Sequence, residues 1–251
     1  MHRETIVGEF THQADTFNRS AVANAPDLLD ALVGLTRPQP EQRWLDVACG
    51  PGAVARALAP LVAEVHGVDA TPAMVALAER EAQARNLTNL TFSLGDAGAL
   101  EFEPGAWDGA VSRFALHHIP VPERIMVQLA RVVAPGGCVV IADSLADENA
   151  EAYAWSQEIE RLRDPSHWAS VSAPRMRALG EAAGLRLEQE IAVTLEIDFE
   201  DWLARGSGHV NAALIDRALA SRPAASECFA VRPGPHGRVL HYRVLLSRWQ
   251  H

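Results

Sequence analysis

The sequence predicts an α/β fold with a doubly wound sheet, mainly parallel, with one antiparallel C-terminal strand and a helical cap. Three observations lead to this expectation. Short apolar runs typical of strands alternate with helical patterns through residues 43–145, as in βαβ units with a parallel sheet. After residue 145 the pattern becomes mostly helical. Two late strands, separated by loops and short helices, favour antiparallel pairing at the edge of that sheet.

The first half of the chain carries the parallel strands, which we expect at residues 43–48, 64–69, 90–96, 107–114 and 137–143. A helix at 53–63 follows the first strand. The next helix has Thr71 as its N-cap, Pro72 at its first position and Asn86 as its C′ residue. The helix after the fourth strand is expected to stop at Pro135-Gly136-Gly137.

The second half begins with a helical segment that is interrupted at Asp164-Pro165. A long strand at about 185–199, short helices at 199–206 and 209–221, and a last strand at 238–249 follow. The basic stretch 217–243 contains scattered Arg, Pro and Gly residues, and we interpret the part outside these elements as a solvated loop.

Two segments, residues 1–30 and 146–172, are too long to be ordinary connections. Residues 1–30 are expected to form N-terminal lid helices, and residues 31–251 the main domain. That domain would carry a cap insertion at about 146–172 and a helical insertion at about 199–221. Such segments usually cover a ligand site, although simple packing against a sheet edge is the alternative.

Composition excludes several classes of function. The 251 residues are 48% apolar and 22% charged, with a formal net charge of −10, which argues against nucleic acid or an anionic membrane as the main partner. The sequence has no apolar run long enough for a membrane span, and its acidic N-terminus does not resemble a signal peptide. Three widely spaced cysteines, Cys49, Cys138 and Cys228, indicate reduced thiols in a cytoplasmic protein and no metal site.

Acidic residues end three successive strands. Asp46, Asp69 and Asp96 stand there, and the turn Gly50-Pro51-Gly52 follows the first strand and leads into a helix. A single aspartate at a strand end is more often a cap or turn former, but three in register with a glycine turn favour a nucleotide at the switch point of the sheet. The glycine spacing departs from G-x-G-x-x-G and a P-loop lysine is absent. An acid beside the turn suits a ligand with an ammonium and a sulfonium better than a pyrophosphate.

Several stretches then make the chain recognisable: LDVACGPG, VHGVDATPAMVALAERE, FSLGDAGAL, WDGAVSRFALHHI and ARVVAPGGCVVIAD. In this order they resemble the class I S-adenosylmethionine (SAM) methyltransferases, and more narrowly the small-molecule group related to the ubiquinone/menaquinone C-methyltransferases. The resemblance is dense over residues 40–145 and weaker through RDPSHW (163–168) and EAAGL (181–185). Ala48 stands where the family usually has its first motif glycine. The resemblance implies a Rossmann-like fold, SAM as cofactor and S-adenosylhomocysteine (SAH) as product.

The resemblance also implies a set of cofactor-binding residues. These are Phe17, Asp46, Ala48, Cys49, Gly50, Gly52, Asp69, Ala70, Met74, Asp96, Ala97 and Arg113. Asp46 and the backbone of the turn would surround the methionine part of SAM. Asp69 would bind the ribose, and Asp96 would accept a hydrogen bond from the adenine amine. For Met74, a position in the helix core is an equally good interpretation.

Three histidines are candidates for a general base, which is needed only when the nucleophile arrives protonated. His117 and His118 follow the fourth strand, and His167 lies in the cap. The alternative for each is a hydrogen bond to loop backbone. Arg163 and Asp164 are better interpreted as a pair that orders the loop.

The resulting hypothesis is a SAM-dependent methyltransferase that transfers a methyl group to carbon or oxygen of a small-molecule metabolite. One alternative is a SAM-binding protein of the same fold that transfers no methyl group and acts as a regulator or as a scaffold for another reaction. The acidic net charge disfavours an RNA or protein methyltransferase, and the glycine register disfavours a nicotinamide-dependent reductase. We therefore expect a small-molecule acceptor as partner, without nucleic acid or membrane span, and a homodimer is compatible with the sequence.

Overall fold

The computed structural model describes residues 2–19, 25–206 and 208–251. Its first half contains α1 (His2–Arg19), α2 (Pro26–Thr36), β1 (Arg43–Val47), α3 (Ala53–Leu58), β2 (Glu64–Asp69), α4 (Pro72–Ala84), β3 (Leu90–Leu94), β4 (Trp107–Arg113), α5 (Pro122–Val132) and β5 (Val133–Ser144). Its second half contains α6 (Ala150–Arg163), α7 (Ala173–Ala182), β6 (Arg186–Asp198), α8 (Phe199–Ala204), α9 (Ala212–Leu219), β7 (Phe229–Gly234) and β8 (Gly237–Gln250).

One sheet runs through the molecule. Its strand order is β3-β2-β1-β4-β5-β8-β6, with β7 paired to β8. The pairs among β1 to β5 are parallel, whereas β8 runs antiparallel to both β5 and β6. The predicted α/β class and doubly wound sheet are therefore confirmed. In such a sheet the strand order reverses between β1 and β4, which opens a crevice at the carboxyl ends of these strands.

Strand alternation distributes apolar side chains to both faces of the sheet. Trp44 packs with α2 and α3 on one face, and its neighbour Leu45 packs with α5 on the other. Gly109 lies opposite Trp44 in β4, and a Cβ atom there would lie 2.5 Å from the Trp44 ring. The close approach of this ring to the backbone explains why the position has no side chain.

The sequence analysis was wrong about part of the stretch 217–243. Residues Phe229–Gly234 form β7, which turns at Gly234 and Gly237 into a hairpin with β8. Phe229 is buried, so this strand is anchored in a core instead of being a solvated loop. Pro233 and the glycines that form the tight turn conceal the short strand, because they are also the usual composition of a loop.

Other boundaries agree more closely with the expectation, with three differences. The helix expected at 53–63 ends at Leu58, and a short 3-10 turn at Ala59–Leu61 follows it. Pro135-Gly136-Gly137 does not end α5, which stops at Val132; these residues instead form an irregularity within β5, where the pairing shifts between Trp107 and Gly109. β3 ends at Leu94, so Asp96 lies two residues beyond the strand. The predicted C′ residue Asn86 has a left-handed φ of 54°, which confirms the end of α4.

Helices α6, α8 and α9 and strand β7 surround a separate hydrophobic cluster at the end of the β6–β8 ribbon. Its fully or nearly fully buried members are Trp155, Ile159, Ile197, Phe199, Trp202, Leu203, Ile215, Phe229 and Leu240. We call this unit the cap. No helix within the described ranges is long and apolar enough to cross a membrane.

Candidate active site

The turn after β1 brings backbone N–H groups to the crevice. Ala48, Gly50 and Gly52 have positive φ angles of 55°, 53° and 77°. For alanine this conformation is about 1–2 kcal/mol less favourable than the right-handed one, so the surrounding structure must hold it in place. The turn is held by hydrogen bonds from Cys49 N to Val68 O (3.0 Å) and from Gly50 N to Asp69 Oδ2 (2.8 Å). α3 then begins directly behind the turn.

Asp46 is buried beneath this turn. Its Oδ2 accepts a hydrogen bond from Ala55 N at 3.0 Å, and we find no other hydrogen bond to this carboxyl group from the described residues. Burial raises the pKa of Asp46 to about 7, although the guanidinium of Arg113 opposes this shift. A buried carboxylate with so little stabilisation is suited to a cationic ligand, which would favour its ionised form.

Asp69 and Asp96 lie further along the same edge. Asp69 Oδ1 accepts a hydrogen bond from Thr71 N at 2.8 Å, so each oxygen of this carboxylate already holds one backbone N–H group. A carboxylate oxygen can accept more than one hydrogen bond. Asp96 Oδ1 accepts from Gly98 N at 2.8 Å. Both carboxylates therefore retain acceptor capacity for the hydroxyl and amine groups of a nucleoside.

These residues surround a cavity of about 390 Å³, which we call the large cavity. This volume lies within the range of roughly 300–1,000 Å³ that small-molecule sites occupy. The predicted site residues that line it are Asp46, Ala48, Cys49, Gly50, Asp69, Ala70, Met74, Asp96, Ala97, Arg113 and His118.

Helix α1 closes one side of the large cavity. His2, Arg3, Ile6 and Phe10 contribute to its wall. His2 Nε2 donates a hydrogen bond to the His118 carbonyl at 2.8 Å, and an Arg3 nitrogen lies 3.6 Å from Asp96 Oδ2. A ligand in the large cavity would therefore be covered by this helix.

Three of the predicted residues do not line the large cavity. Gly52 does not line the cavity; a Cβ atom there would lie 2.9 Å from the Phe92 ring, so its positive φ and this packing explain the glycine. His117 and His167 also lie outside the large cavity. The side chain of Phe17 is outside the part of the chain that the structure describes.

His117 is paired with Asp143, a residue that the sequence analysis did not single out. His117 Nδ1 donates to Asp143 Oδ1 at 2.5 Å, and both side chains are buried. Burial alone would lower the pKa of His117, but the charge and hydrogen bond of Asp143 outweigh it, so this pKa is raised. With Nδ1 occupied, Nε2 is the nitrogen that can exchange a proton, as in a histidine oriented by a carboxylate.

The other two histidines have different surroundings. His118 Nδ1 donates to the Ser166 carbonyl at 3.1 Å, and burial together with the charge of His117 lowers the pKa of His118 to about 3. His167 Nε2 donates to Gln157 Oε1 at 2.7 Å, while burial, followed by the charge of His117, lowers its pKa. Both histidines are therefore neutral near pH 7. Of the three, His117 is best suited to act as a base at that pH.

A second cavity of about 50 Å³, which we call the small cavity, lies between the large cavity and the cap. Phe10, Phe114 and His118 line both cavities. The rest of its wall consists of Gln13, His117, Arg163, Asp164, Ile197, Trp202, Arg205 and Tyr242. His117 therefore faces the space beside the large cavity.

Several of these residues were missed at the sequence level. Asp143 ends β5 just as the three recognised aspartates end or follow their strands, so the same signal could have identified it. The resemblance placed Arg113 at the cofactor site, but nothing in the sequence indicated that its side chain lies close enough to Asp46 to influence the pKa of that carboxyl. No pattern along the chain marks Arg205 or Tyr242, because they reach the small cavity only through the folding of the cap.

Comparison with known proteins gives consistent matches. A family model described as a methyltransferase domain matches residues 45–137. The uncharacterized methyltransferase YcgJ of Bacillus subtilis (strain 168) is 30% identical over 197 residues, which cover 78% of each chain. The crystal structure of YcgJ superimposes with a TM-score of 0.82 over 89% of this chain and 97% of that chain, at 27% identity.

Two further relatives match over shorter regions. The demethylmenaquinone methyltransferase of Thermus thermophilus is 38% identical over 113 residues, covering 44% of this chain and 51% of that protein. The 23S rRNA (uracil(1939)-C(5))-methyltransferase RlmD of Shewanella sp. (strain MR-7) is 41% identical over 110 residues, covering 43% of this chain and only 22% of that protein. The likeness to the RNA enzyme is thus confined to less than half of either chain.

Proposed function

The chain belongs to the class I SAM-dependent methyltransferases, and we propose that it transfers a methyl group to carbon or oxygen of a small-molecule metabolite. The observation that carries this proposal is the position of His117, which is paired with Asp143 and lines the small cavity beside the large one. A base in this place serves an acceptor that must lose a proton, such as a phenol, an enol or an activated carbon acid.

The residues of the large cavity fit SAM. Asp46 offers a buried, weakly stabilised carboxyl group to the cationic methionine part, and the left-handed turn from Ala48 to Gly52 allows close approach of the backbone. The free acceptor positions of Asp69 would hold the ribose hydroxyls, and those of Asp96 the adenine amine. When bound, SAM would supply an electrophilic methyl group on a sulfonium, with SAH as the leaving group.

The protein's own contribution would be alignment, exclusion of water and removal of one proton. His117 Nε2 would accept the proton of the acceptor as its oxygen or carbon forms the new bond to the methyl group, while the electron pair of the broken carbon–sulfur bond remains on sulfur. Asp143 would stabilise the imidazolium that results. Alignment of two reactants in closed cavities can contribute about 7–11 kcal/mol to lowering the barrier, and the base a further factor of about 10²–10⁴.

A small acceptor agrees better with the charge and shape of the site than a nucleic acid does. The net charge of −10 repels a phosphate backbone, and α1 covers the large cavity. The demethylmenaquinone methyltransferase acts, by its name, on a small molecule. The match with this chain spans 51% of that protein but only 22% of the RNA enzyme.

The proposal is tested by incubating the protein with methyl-labelled SAM and a panel of phenols, quinols, enols and β-dicarbonyl compounds, with detection of labelled products by mass spectrometry. We expect at least one product, and a kcat about 10²–10⁴-fold lower in His117→Asn, with unchanged SAH affinity. His236→Asn, at the exposed tip of the β7–β8 hairpin, is the matched control. Turnover of His117→Asn at the wild-type rate would exclude the base, and SAM binding without any labelled product would contradict the proposed acceptor class.

A further inference from the structure

The wall of the small cavity contains a buried cation that no described carboxylate contacts. The Arg205 side chain lines this cavity, and the residue is 5% exposed. None of the carboxylates whose side chains the structure describes lies within 4.0 Å of its guanidinium, and none of the described groups forms a hydrogen bond with it. A buried guanidinium without a partner is costly, so its retention calls for an explanation.

The other ionisable groups of the wall are already satisfied. The Arg163 guanidinium lies 3.4 Å from Glu160 Oε2 and 3.6 Å from Asp164 Oδ2. Burial alone would raise the pKa of Asp164, but the charge of Arg163 and the hydrogen bonds from Ser166 together lower this pKa, so Asp164 is ionised. His117 is balanced by Asp143, and His118 is neutral. Among the charged groups of this wall, Arg205 is therefore the one without an oppositely charged group of the described residues in contact with it.

Two more buried polar atoms near the small cavity lack a hydrogen-bond partner. These atoms are Oε1 of Gln13 and Nε of Arg163. Buried polar atoms are nearly always paired, so unpaired donors and acceptors around one cavity indicate a polar ligand or ordered water. Burial, followed by the charge of Arg163, lowers the pKa of Arg205 to about 10, which leaves Arg205 protonated near neutral pH.

We infer that the methyl acceptor carries a carboxylate, which Arg205 binds in the small cavity. This inference rests on the proposed function and specifies its substrate class. One water molecule needs roughly 10–15 Å³ of cavity volume. The small cavity, with about 50 Å³, is therefore large enough for an acidic group but not for a whole acceptor. The remainder of the acceptor would lie along Phe114 and His118, the residues shared with the large cavity, within reach of His117.

A monoanion fits this site better than a dianion. Arg205 supplies one positive charge that no described carboxylate contacts, and the ionised Asp164 belongs to the same wall. A phosphate monoester would place up to two negative charges beside that carboxylate, which costs Coulomb energy in a water-poor site. A planar carboxylate also matches the guanidinium in a bidentate arrangement.

The first test needs no ligand. Arg205→Met replaces the buried cation by an apolar chain, and we expect the Tm of the free protein to rise by about 2–4 °C. Arg163→Met is the contrasting variant, because it leaves Glu160 and Asp164 without their cation and should lower the Tm. If Arg205→Met lowers the Tm as much as Arg163→Met does, Arg205 is a structural residue and the inference is wrong.

The second test measures binding of simple probes to the SAH-saturated protein by calorimetry. We expect benzoate to bind at least tenfold more tightly than benzamide or phenyl phosphate, and at least tenfold more tightly to the wild type than to Arg205→Met. Arg217→Gln, on the exposed side of α9, should bind benzoate like the wild type. Absence of benzoate binding, equal binding of the neutral or the phosphate probe, or unchanged affinity in Arg205→Met would each overturn the inference.

These equilibrium readouts separate the two proposals. Arg205-dependent benzoate binding in a protein that methylates no acceptor would support the carboxylate site and contradict the proposed transfer. Methylation of neutral acceptors alone, with a kcat/KM that Arg205→Met does not change, would support the proposed function and exclude the carboxylate.

Discussion

Asp143→Asn is the most informative single substitution, because it changes one atom of a carboxylate that accepts hydrogen bonds on both oxygens. Oδ2 accepts from Ala115 N at 3.0 Å and Leu116 N at 2.7 Å. Oδ1 accepts from His117 Nδ1 at 2.5 Å and from Ser144 N at 2.7 Å. Asparagine has a single acceptor oxygen, so its amide nitrogen must face one of these two pairs of donors.

If the oxygen keeps both backbone bonds to Ala115 and Leu116, the amide NH₂ group faces His117 and Ser144. His117 then accepts at Nδ1 and carries its proton on Nε2, where it can no longer act as a base. The expected loss in kcat is about 10²–10⁴-fold, the factor that general-base catalysis supplies. The buried N–H group of Ser144 loses its acceptor, which costs about 1–3 kcal/mol of unfolding free energy.

The assays are kcat and KM with the identified acceptor, SAH affinity by calorimetry and urea denaturation. In the wild type, kcat should fall as the pH drops through the raised pKa of His117, since only the neutral imidazole accepts a proton. For the residual activity of Asp143→Asn, the fall in kcat on the acid side should move to lower pH, because the carboxylate that raises the pKa of His117 has gone. Asp147→Asn is the control: Asp147 is buried and its Oδ1 accepts from Glu227 N at 2.9 Å, but it lines neither of the two cavities. A wild-type kcat in Asp143→Asn, or an equal loss in Asp147→Asn, would refute the reasoning.

Three further outcomes concern the cofactor site and the sheet. Asp69→Asn should weaken SAH binding about tenfold or more, because an NH₂ group replaces a carboxylate oxygen such as the one that accepts from Gly50 N. An unchanged calorimetric affinity would contradict the ribose role. The SAM affinity of the wild type should increase as the pH rises through about 7, where Asp46 ionises. Asp46→Asn should abolish this pH dependence. A pH dependence that persists in the variant would exclude Asp46 as its origin. Gly109→Ala should lower the unfolding free energy by about 1–3 kcal/mol, because the new Cβ overlaps the Trp44 ring. Gly8→Ala, with no atom within 4 Å of the new Cβ, should not lower it. Equal stabilities of the two variants in urea would contradict this packing.

Much of the cofactor half of the molecule could be predicted from the sequence, because its signals are local. Alternating strands and helices, the glycine turn and the strand-end acids lie within short windows, and a parallel sheet brings strand ends together at one edge. Asp46, Asp69 and Asp96 therefore line one cavity as expected.

The acceptor side could not be predicted in the same way. The His117–Asp143 pair joins residues 26 positions apart, and the small cavity combines Gln13 of α1 with Arg205 and Tyr242. Such contacts depend on how the cap folds over the sheet, which no periodicity encodes. β7 shows the same limit, because its pairing with β8 outweighs the loop-like composition of its surroundings.

The cap has its own hydrophobic cluster, separate from the two that cover the faces of the sheet. It contacts the cluster that contains Trp44 through partly buried side chains such as Phe114 and Tyr242. Under the proposed function, the segments that would bind the acceptor can therefore diverge while the residues that would bind the nucleoside stay intact. An engineer seeking a new acceptor would graft α6, α8, α9 and the β7 hairpin as one piece, and would keep the aspartate edge untouched.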